Sequence, residues 1–180
     1  TLGSYWEANM ELIDIIPEFN LYEEFWKIYT KTDIIPPQYI SAEAVVERSI
    51  IGEGSEIHGE VYNSVIGPGV VIKKGSVVRN SIIMKQSFIG ENVTIDKAII
   101  AENVTVGNNV VMGVGEDVPN KEKPSVYSFG LVTIGENSVI PADVKIGINT
   151  AIVGETTPED YPDGELASGQ VIAAKDGDEA

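Results

Sequence analysis

The last three of four short rows in this chain stand seventeen residues apart. Ser64-Val65-Ile66-Gly67, Ser81-Ile82-Ile83-Met84 and Ala98-Ile99-Ile100-Ala101 keep that step, and Ser49-Ile50-Ile51-Gly52 precedes them at a shorter one. Inside each row runs a six-residue beat: Ile66, Ile72 and Val78, then Ile83, Ile89 and Ile95, then Ile100, Val106 and Met112. A fixed short period of aliphatic residues is the signature of a solenoid whose strands turn every few residues. Three beats, trimmed by one residue, make one three-sided coil. The beat residue points into the prism and stacks on its equivalent in the next coil. Glycine, Asn or Asp follows soon after most beats, as in Gly90-Glu91-Asn92, Gly107-Asn108-Asn109 and Gly135-Glu136-Asn137. Such corners need positive φ or side chains that bond their own backbone. One coil cannot bury its apolar face alone, so stacking supplies the core, at roughly 1.5–3 kcal/mol per buried Ile or Val. The fold class is therefore all-β, a parallel β-helix, with a short helical segment ahead of it.

The repeat resembles the hexapeptide class, whose coils wind left-handed; that resemblance implies a left-handed parallel β-helix here. The chain has 180 residues, no Cys and one His. A disulfide frame, a thiolate metal site and a three-His zinc site on one chain are excluded. A net charge of −16 argues against nucleic acid, whose phosphates need clustered Lys and Arg. No apolar run approaches the ~20 residues of a membrane span, and no signal peptide is visible. No membrane partner and a cytoplasmic location are expected. The opening residues lack an initiator Met and read as a piece of something longer.

In chain order, Ser4 with Glu7 forms a capping box and opens a helix to about Leu12, with Tyr5, Ala8 and Leu12 on one face and Trp6, Asn9 and Ile13 beside them. Asn20 can cap a second helix, Leu21 to about Tyr29. The two Trp and three Tyr before residue 31 read as core. Pro36-Pro37 marks a linker, so residues 1–42 form a helical end plus linker. The β-helix is expected over residues 43–153. After Met112 the beat lapses, then returns at Ile134, Ile140, Ile146 and Ile152. The gap is two steps, which reads as one coil replaced by a loop, Gly113 to Gly130. Residues 154–180 read as an acidic, mobile tail, with Val171-Ile172 available for a short strand.

Two sets of residues carry candidate chemistry. His58 follows a beat residue and points outward, where it can serve as the general base of a hexapeptide acyltransferase or remain a surface His. Lys73, Lys74, Arg79, Lys85 and Lys97 lie on successive coils, and Lys121 and Lys123 lie on the loop. They can bind a phosphorylated small molecule as point charges, or they balance neighbouring Glu residues on the outer wall. No phosphate-cradling glycine loop and no Ser/His/Asp set is present.

The first helix adds a closer likeness. Tyr5-Trp6-Glu7-Ala8-Asn9, Trp26-Lys27-Ile28-Tyr29-Thr30 and Pro36-Pro37-Gln38-Tyr39-Ile40 resemble the bacterial ADP-glucose pyrophosphorylases (glucose-1-phosphate adenylyltransferases), where the nucleotidyltransferase domain closes and the carboxy-terminal β-helix begins. The resemblance runs from Thr1 to about Ile152. It implies an enzyme that makes ADP-glucose and pyrophosphate from ATP and glucose 1-phosphate, with Mg²⁺, for glycogen biosynthesis. Thr1 looks like the last residue of the family's Asp-Val-Gly-Thr motif, so the catalytic residues lie upstream and this fragment has none. The β-helix of that family serves oligomer contacts and allosteric control. The resemblance thus implies a homo-oligomer, a tetramer, or pairing with a non-catalytic paralogue. It also implies an anionic effector, with basic residues in the loop before a Gly-Leu-Val-Thr-like strand. Here that strand is Gly130-Leu131-Val132-Thr133, and the candidate effector-binding residues are Lys97, Lys121 and Lys123. Other readings are the non-catalytic paralogue itself, an acyltransferase using His58, or a guanylyl- or uridylyltransferase, against which the Tyr5–Asn9 helix argues.

Overall fold

The computed structural model describes residues 1–14, 16–21, 24, 25 and 34–174. Three parallel sheets run the length of the molecule. The first face is built from Tyr39–Ile40, Glu56–Ile57, Val71–Ile72, Phe88–Ile89, Thr105–Val106 and Val139–Ile140. The second holds Val45–Glu47, Glu60–Tyr62, Val77–Arg79, Thr94–Asp96, Val111–Met112, Lys145–Ile146 and Glu165–Leu166. The third holds Ile50–Ile51, Val65–Ile66, Ile82–Ile83, Ala98–Ile100, Val132–Ile134, Thr150–Val153 and Val171–Ala173.

The register is the one that the repeat predicts. Ile51 pairs with Ile66, Ile66 with Ile83, Ile83 with Ile100, Ile100 with Ile134 and Ile134 with Ile152. The beat residues from Ile57 to Ile152 form one core, none of them more than 2% exposed. Because side chains alternate along a strand, the neighbour of each beat residue faces out. Serines reinforce the stack at buried corners. Ser76 Oγ donates to Gly90 O of the next coil at 2.6 Å and accepts from Val93 N at 3.0 Å. Ser87 does the same at the corner before a first-face strand, donating to Ala101 O at 2.9 Å and accepting from Val104 N at 3.2 Å.

The corners follow the expected chemistry. Of the twelve described non-glycine residues with positive φ, all but Arg48, Gln86, Lys97 and Phe129 are Asn or Asp. Asn and Asp tolerate the left-handed region because their short side chains bond locally. Here they also bond to each other: Asn63 Nδ2 donates to Asn80 Oδ1 at 2.8 Å, and Asn80 Nδ2 to Asp96 Oδ1 at 2.9 Å.

Several expectations need correction. The coils begin at Tyr39, which pairs with Glu56, so the β-helix starts before residue 43. No coil has been lost at residues 113–130. Ala98 pairs directly with Val132, and Val111 with Lys145, so the loop is an insertion within a coil. Residues after 154 are not simply a tail. Glu165–Leu166 pairs with Lys145–Ile146, Val171–Ala173 pairs with Ala151–Val153, and Leu166 and Tyr161 close the core at 3% and 7% exposure. Residues 175–180, and most of the expected helix from Leu21 to Tyr29, lie outside the described residues.

The first helix, α1 (Leu2–Glu11), is capped by Thr1, whose Oγ1 accepts from Ser4 N at 3.2 Å. Ser4 is inside the helix and its hydroxyl lies 2.9 Å from Thr1 Oγ1, so the Ser4–Glu7 capping box does not form. The face that packs is Leu2, Trp6 and Met10, four residues apart, rather than Tyr5, Ala8 and Leu12. These rest on Ile82, Ile99 and Leu131, an apolar strip on the outside of the third face. No α1 residue is fully buried; Tyr5 is 43% exposed and is not core, whereas Trp6 is half-buried against that apolar strip. Tyr22, Trp26 and Tyr29 lie outside the described residues.

Candidate functional site

The functional geometry gathers along one edge, where the second face turns into the third. Arg48, Asn63, Asn80, Lys97 and Asn149 occupy it, with φ between 43° and 55°. The registers Ala98 to Val132 and Val132 to Thr150 put Leu131 between the last two. Helix α1 lies along this edge, and Trp6 Nε1 donates to Asn80 O at 2.7 Å.

Lys97 is the residue on which three separate segments converge. Its Nζ stands 5.3 Å from the centroid of the Trp6 ring and 4.3 Å from that of Phe129. The two rings meet edge to face, with centroids 6.0 Å apart and planes at 61°. An ammonium over such rings gains about 0.5–2 kcal/mol, depending on how dry the contact is. Coil, helix and inserted loop therefore share one cation.

The inserted loop is firmly fixed. Asn149, 4% exposed, accepts from Gly130 N through Oδ1 at 2.7 Å. Its Nδ2 donates to Asp117 Oδ1 at 2.8 Å and to Val118 O at 2.9 Å. Its own carbonyl accepts from Asn120 Nδ2 at 2.9 Å. Asn120, 2% exposed, then accepts from Glu122 N at 3.0 Å and Lys123 N at 2.9 Å. Lys121 N donates to Gly169 O at 2.8 Å, which ties the same segment to the last coil. Lys121 and Lys123 are exposed on this fixed backbone, and among the described residues neither ammonium has an ion-pair partner.

At the far end of the loop, Phe129 adopts φ 69° and Gly130 φ 72°. For a bulky side chain that conformation is an outlier costing about 1–3 kcal/mol, and it persists only where the surroundings impose it. Here the imposing contacts are the Leu131 N to Ser128 O turn bond at 3.3 Å, the Asn149 bond to Gly130 N, and the contacts of the ring with Lys97 and Trp6.

The remaining candidates are occupied elsewhere. Lys74 pairs with Glu43 at 3.1 Å and Lys85 with Glu102 at 2.9 Å. Lys73 lies over Phe88 at 5.7 Å and Arg79 over Tyr62 at 5.3 Å. These four contacts lie on the outer wall of the coils. Lys97 meets the loop at Phe129, six residues beyond Lys123, and its ammonium contacts the two rings. His58 is partly exposed on the first face, with Nε2 3.7 Å from Glu56 Oε2 and its ring 5.8 Å from Tyr39. That separation is too long for a hydrogen bond, so no carboxylate orients it as a base.

Two clefts flank the edge. One, of about 540 Å³, is walled by Trp6, Glu7, Glu11, Asp14, Arg48 and Asn63. Three carboxylates face one guanidinium there, and Asp14 holds that guanidinium at 3.1 Å, so the cleft repels anions. The other, of about 330 Å³, runs between the loop and the last coil and mixes Glu116 and Glu165 with Lys145. Two tyrosines have raised pKa values. The hydrogen bond to Glu60 lifts Tyr62, and burial pushes Tyr161 up to about 12. Neither tyrosine lies at the lysine edge. The sequence repeat could not reveal the meeting of Trp6, Lys97 and Phe129, because these residues lie 32 to 123 positions apart and outside the beat.

A three-sided parallel solenoid of hexapeptide coils, with a helix docked on one edge and a pinned loop beside it, places the molecule in the hexapeptide-repeat class. More narrowly, the chain belongs to the family described as GlmU-like, C-terminal hexapeptide, which matches residues 38–134. A glucose-1-phosphate adenylyltransferase from Lachnospira eligens is 67% identical over 96% of this chain and 41% of its own length. The enzymes of that name from Thermotoga maritima and Acetivibrio thermocellus are 52% and 44% identical, over 98% and 96% of this chain and 42% and 40% of theirs. The chain thus spans about 40% of the length of the curated relatives it matches.

Proposed function

We propose that this chain is the regulatory and assembly part of a glucose-1-phosphate adenylyltransferase. The whole enzyme would join ATP and glucose 1-phosphate into ADP-glucose and pyrophosphate, the precursor step of glycogen biosynthesis in the cytoplasm. The observation that carries this reading is the 67% identity to an enzyme of that name, sustained over 96% of the chain. Such identity extends through the linker and inserted loop, which a shared solenoid alone does not require.

In this reading the chemistry lies outside the chain. The Mg²⁺ of the whole enzyme belongs, in this reading, to the part outside this chain; among the described residues no three His, Asp or Glu side chains gather as metal ligands. No helix among them is long and apolar enough to cross a membrane. The chain's part is assembly, as a homo-oligomer or with a non-catalytic paralogue, and control by an anionic effector. The exposed Lys121 and Lys123, held by Asn120 and Asn149, are the groups offered to that anion. Lys97 acts behind them, through the rings it holds.

The purified chain should form no ADP-glucose; measurable formation would overturn the assignment of catalysis to the missing part. In the whole enzyme, Lys121→Ala with Lys123→Ala should weaken activation by a sugar bisphosphate by about tenfold or more, two charge-assisted contacts being lost. Unchanged activation would remove the two lysines from the effector site.

A further inference from the structure

Phe129 is a strained residue placed between two anchors. On one side Asn149 Oδ1 accepts from the very next amide, Gly130 N, at 2.7 Å. On the other, the Phe129 ring covers Lys97 Nζ at 4.3 Å and meets the edge of Trp6 at 6.0 Å. A turn bond from Leu131 N to Ser128 O at 3.3 Å spans Phe129 and Gly130, but that turn disfavours phenylalanine at φ 69°, and the long bond alone is a weak hold. Removing the Asn149 bond would let the backbone relax to negative φ and carry the ring away from Trp6. Trp6 is in turn the residue that fastens α1, through its apolar packing on the Ile82, Ile99 and Leu131 strip and through its bond to Asn80 O.

We infer that Phe129 is a sprung latch: Asn149 holds it in the left-handed conformation against Lys97 and Trp6, so the state of the inserted loop sets how tightly α1 is docked. Coupling between distant segments needs a contiguous physical connection with two arrangements, and this one has both a connection and a reason to move. The connection runs from Asn120 and Asn149, which hold the lysine-bearing turn, through Gly130 and Phe129 to Trp6 and the helix. Coupling is reciprocal, so whatever moves α1 also loosens the loop. The latch stands on contacts within this chain; only its use by an anion rests on the reading given above.

The test needs no ligand. In a Trp26→Phe background Trp6 is the sole indole, since the chain has two Trp. Asn149→Ala should shift Trp6 emission to the red and speed hydrogen exchange of the α1 amides by about tenfold or more. Amides of the inner column, such as Ile89 and Val106, should keep their protection, which shows that the fold is intact. Phe129→Ala, which leaves every Asn149 side-chain bond in place, should give the same red shift. In that Phe129→Ala background, adding Asn149→Ala should change Trp6 and α1 no further, because the path has already been cut. The proposal is overturned if Asn149→Ala leaves Trp6 and α1 unchanged, or if it loosens them equally with Phe129 absent. Since Lys121 and Lys123 are untouched, failure here leaves the effector reading standing, and failure of their double variant leaves the latch standing.

Discussion

The inner column and the Lys97 edge are built from the same chain by opposite means. In the column, each contact is a copy of the one before it: Ile66 on Ile83, Ile83 on Ile100, Ile100 on Ile134. Nothing there is strained or exposed, and the loss of one member is felt by both neighbours. Around Lys97, the side-chain contacts do not repeat from coil to coil. One lysine, two aromatic rings and two asparagines meet once, from four stretches of sequence, and two of the backbone positions carry side chains that disfavour their φ. The contrast teaches where such a scaffold can vary. Periodic burial supplies stability, and the aperiodic edge, lying outside the core, is free to be strained, pinned or moved.

The comparison can be broken by substitution. The largest effect should come from Ile89→Ala, at the middle of the column with no exposed surface, costing about 2–5 kcal/mol in urea unfolding. A loss well under ~1 kcal/mol would mean that the column is not the source of stability. Ser76→Ala should follow at about 1–3 kcal/mol, since it leaves Val93 N and Gly90 O without their buried partner. Two exposed-side cations then sharpen the contrast. Lys97→Met should cost more than Lys74→Met, because Lys97 serves two rings whereas Lys74 has one exposed ion pair worth about 0–1 kcal/mol. Equal losses would deny the edge its special standing.

The last coil offers a test in pH. Tyr161 is 7% exposed, its hydroxyl lies 2.9 Å from Thr156 Oγ1, and burial raises its pKa to about 12 from 10.0. A group with a raised folded pKa contributes stability that is complete below its unfolded value and is lost as pH climbs toward the folded one. The coil should therefore weaken between pH 10 and about 12, and Tyr161→Phe should abolish that part of the loss. An unchanged alkaline profile in the variant would mean that Tyr161 does not close the end of the core.

How much could be read in the sequence divides along the same line. The step of seventeen fixed the column, the register and the asparagine corners, because stacking forces equal residues into equal places. The step could not decide what residues 113–130 are: two steps fit both a missing coil and an insertion of equal length, and only the pairing of Ala98 with Val132 separates them. The final coil was hidden because Glu165 and Gln170 interrupt the aliphatic pattern, although Leu166 and Ile172 still stack inward. The helix cap was misplaced by one turn because Thr1 and Ser4 both offer hydroxyls three residues ahead of a candidate N3 position. Lys97 and the loop lysines were visible as isolated cations. Their different fates, one enclosed by rings and two left open on a pinned turn, depend on contacts with no period.

Native-state hydrogen exchange across the chain measures the division most directly. The column amides, from Ile57 to Ile152, should exchange only through global opening, with α1 and residues 113–130 exchanging through local openings of lower free energy. If α1 and the loop instead open only together with the column, the edge is part of the same cooperative unit, and stability and regulation are not divided between the two regions.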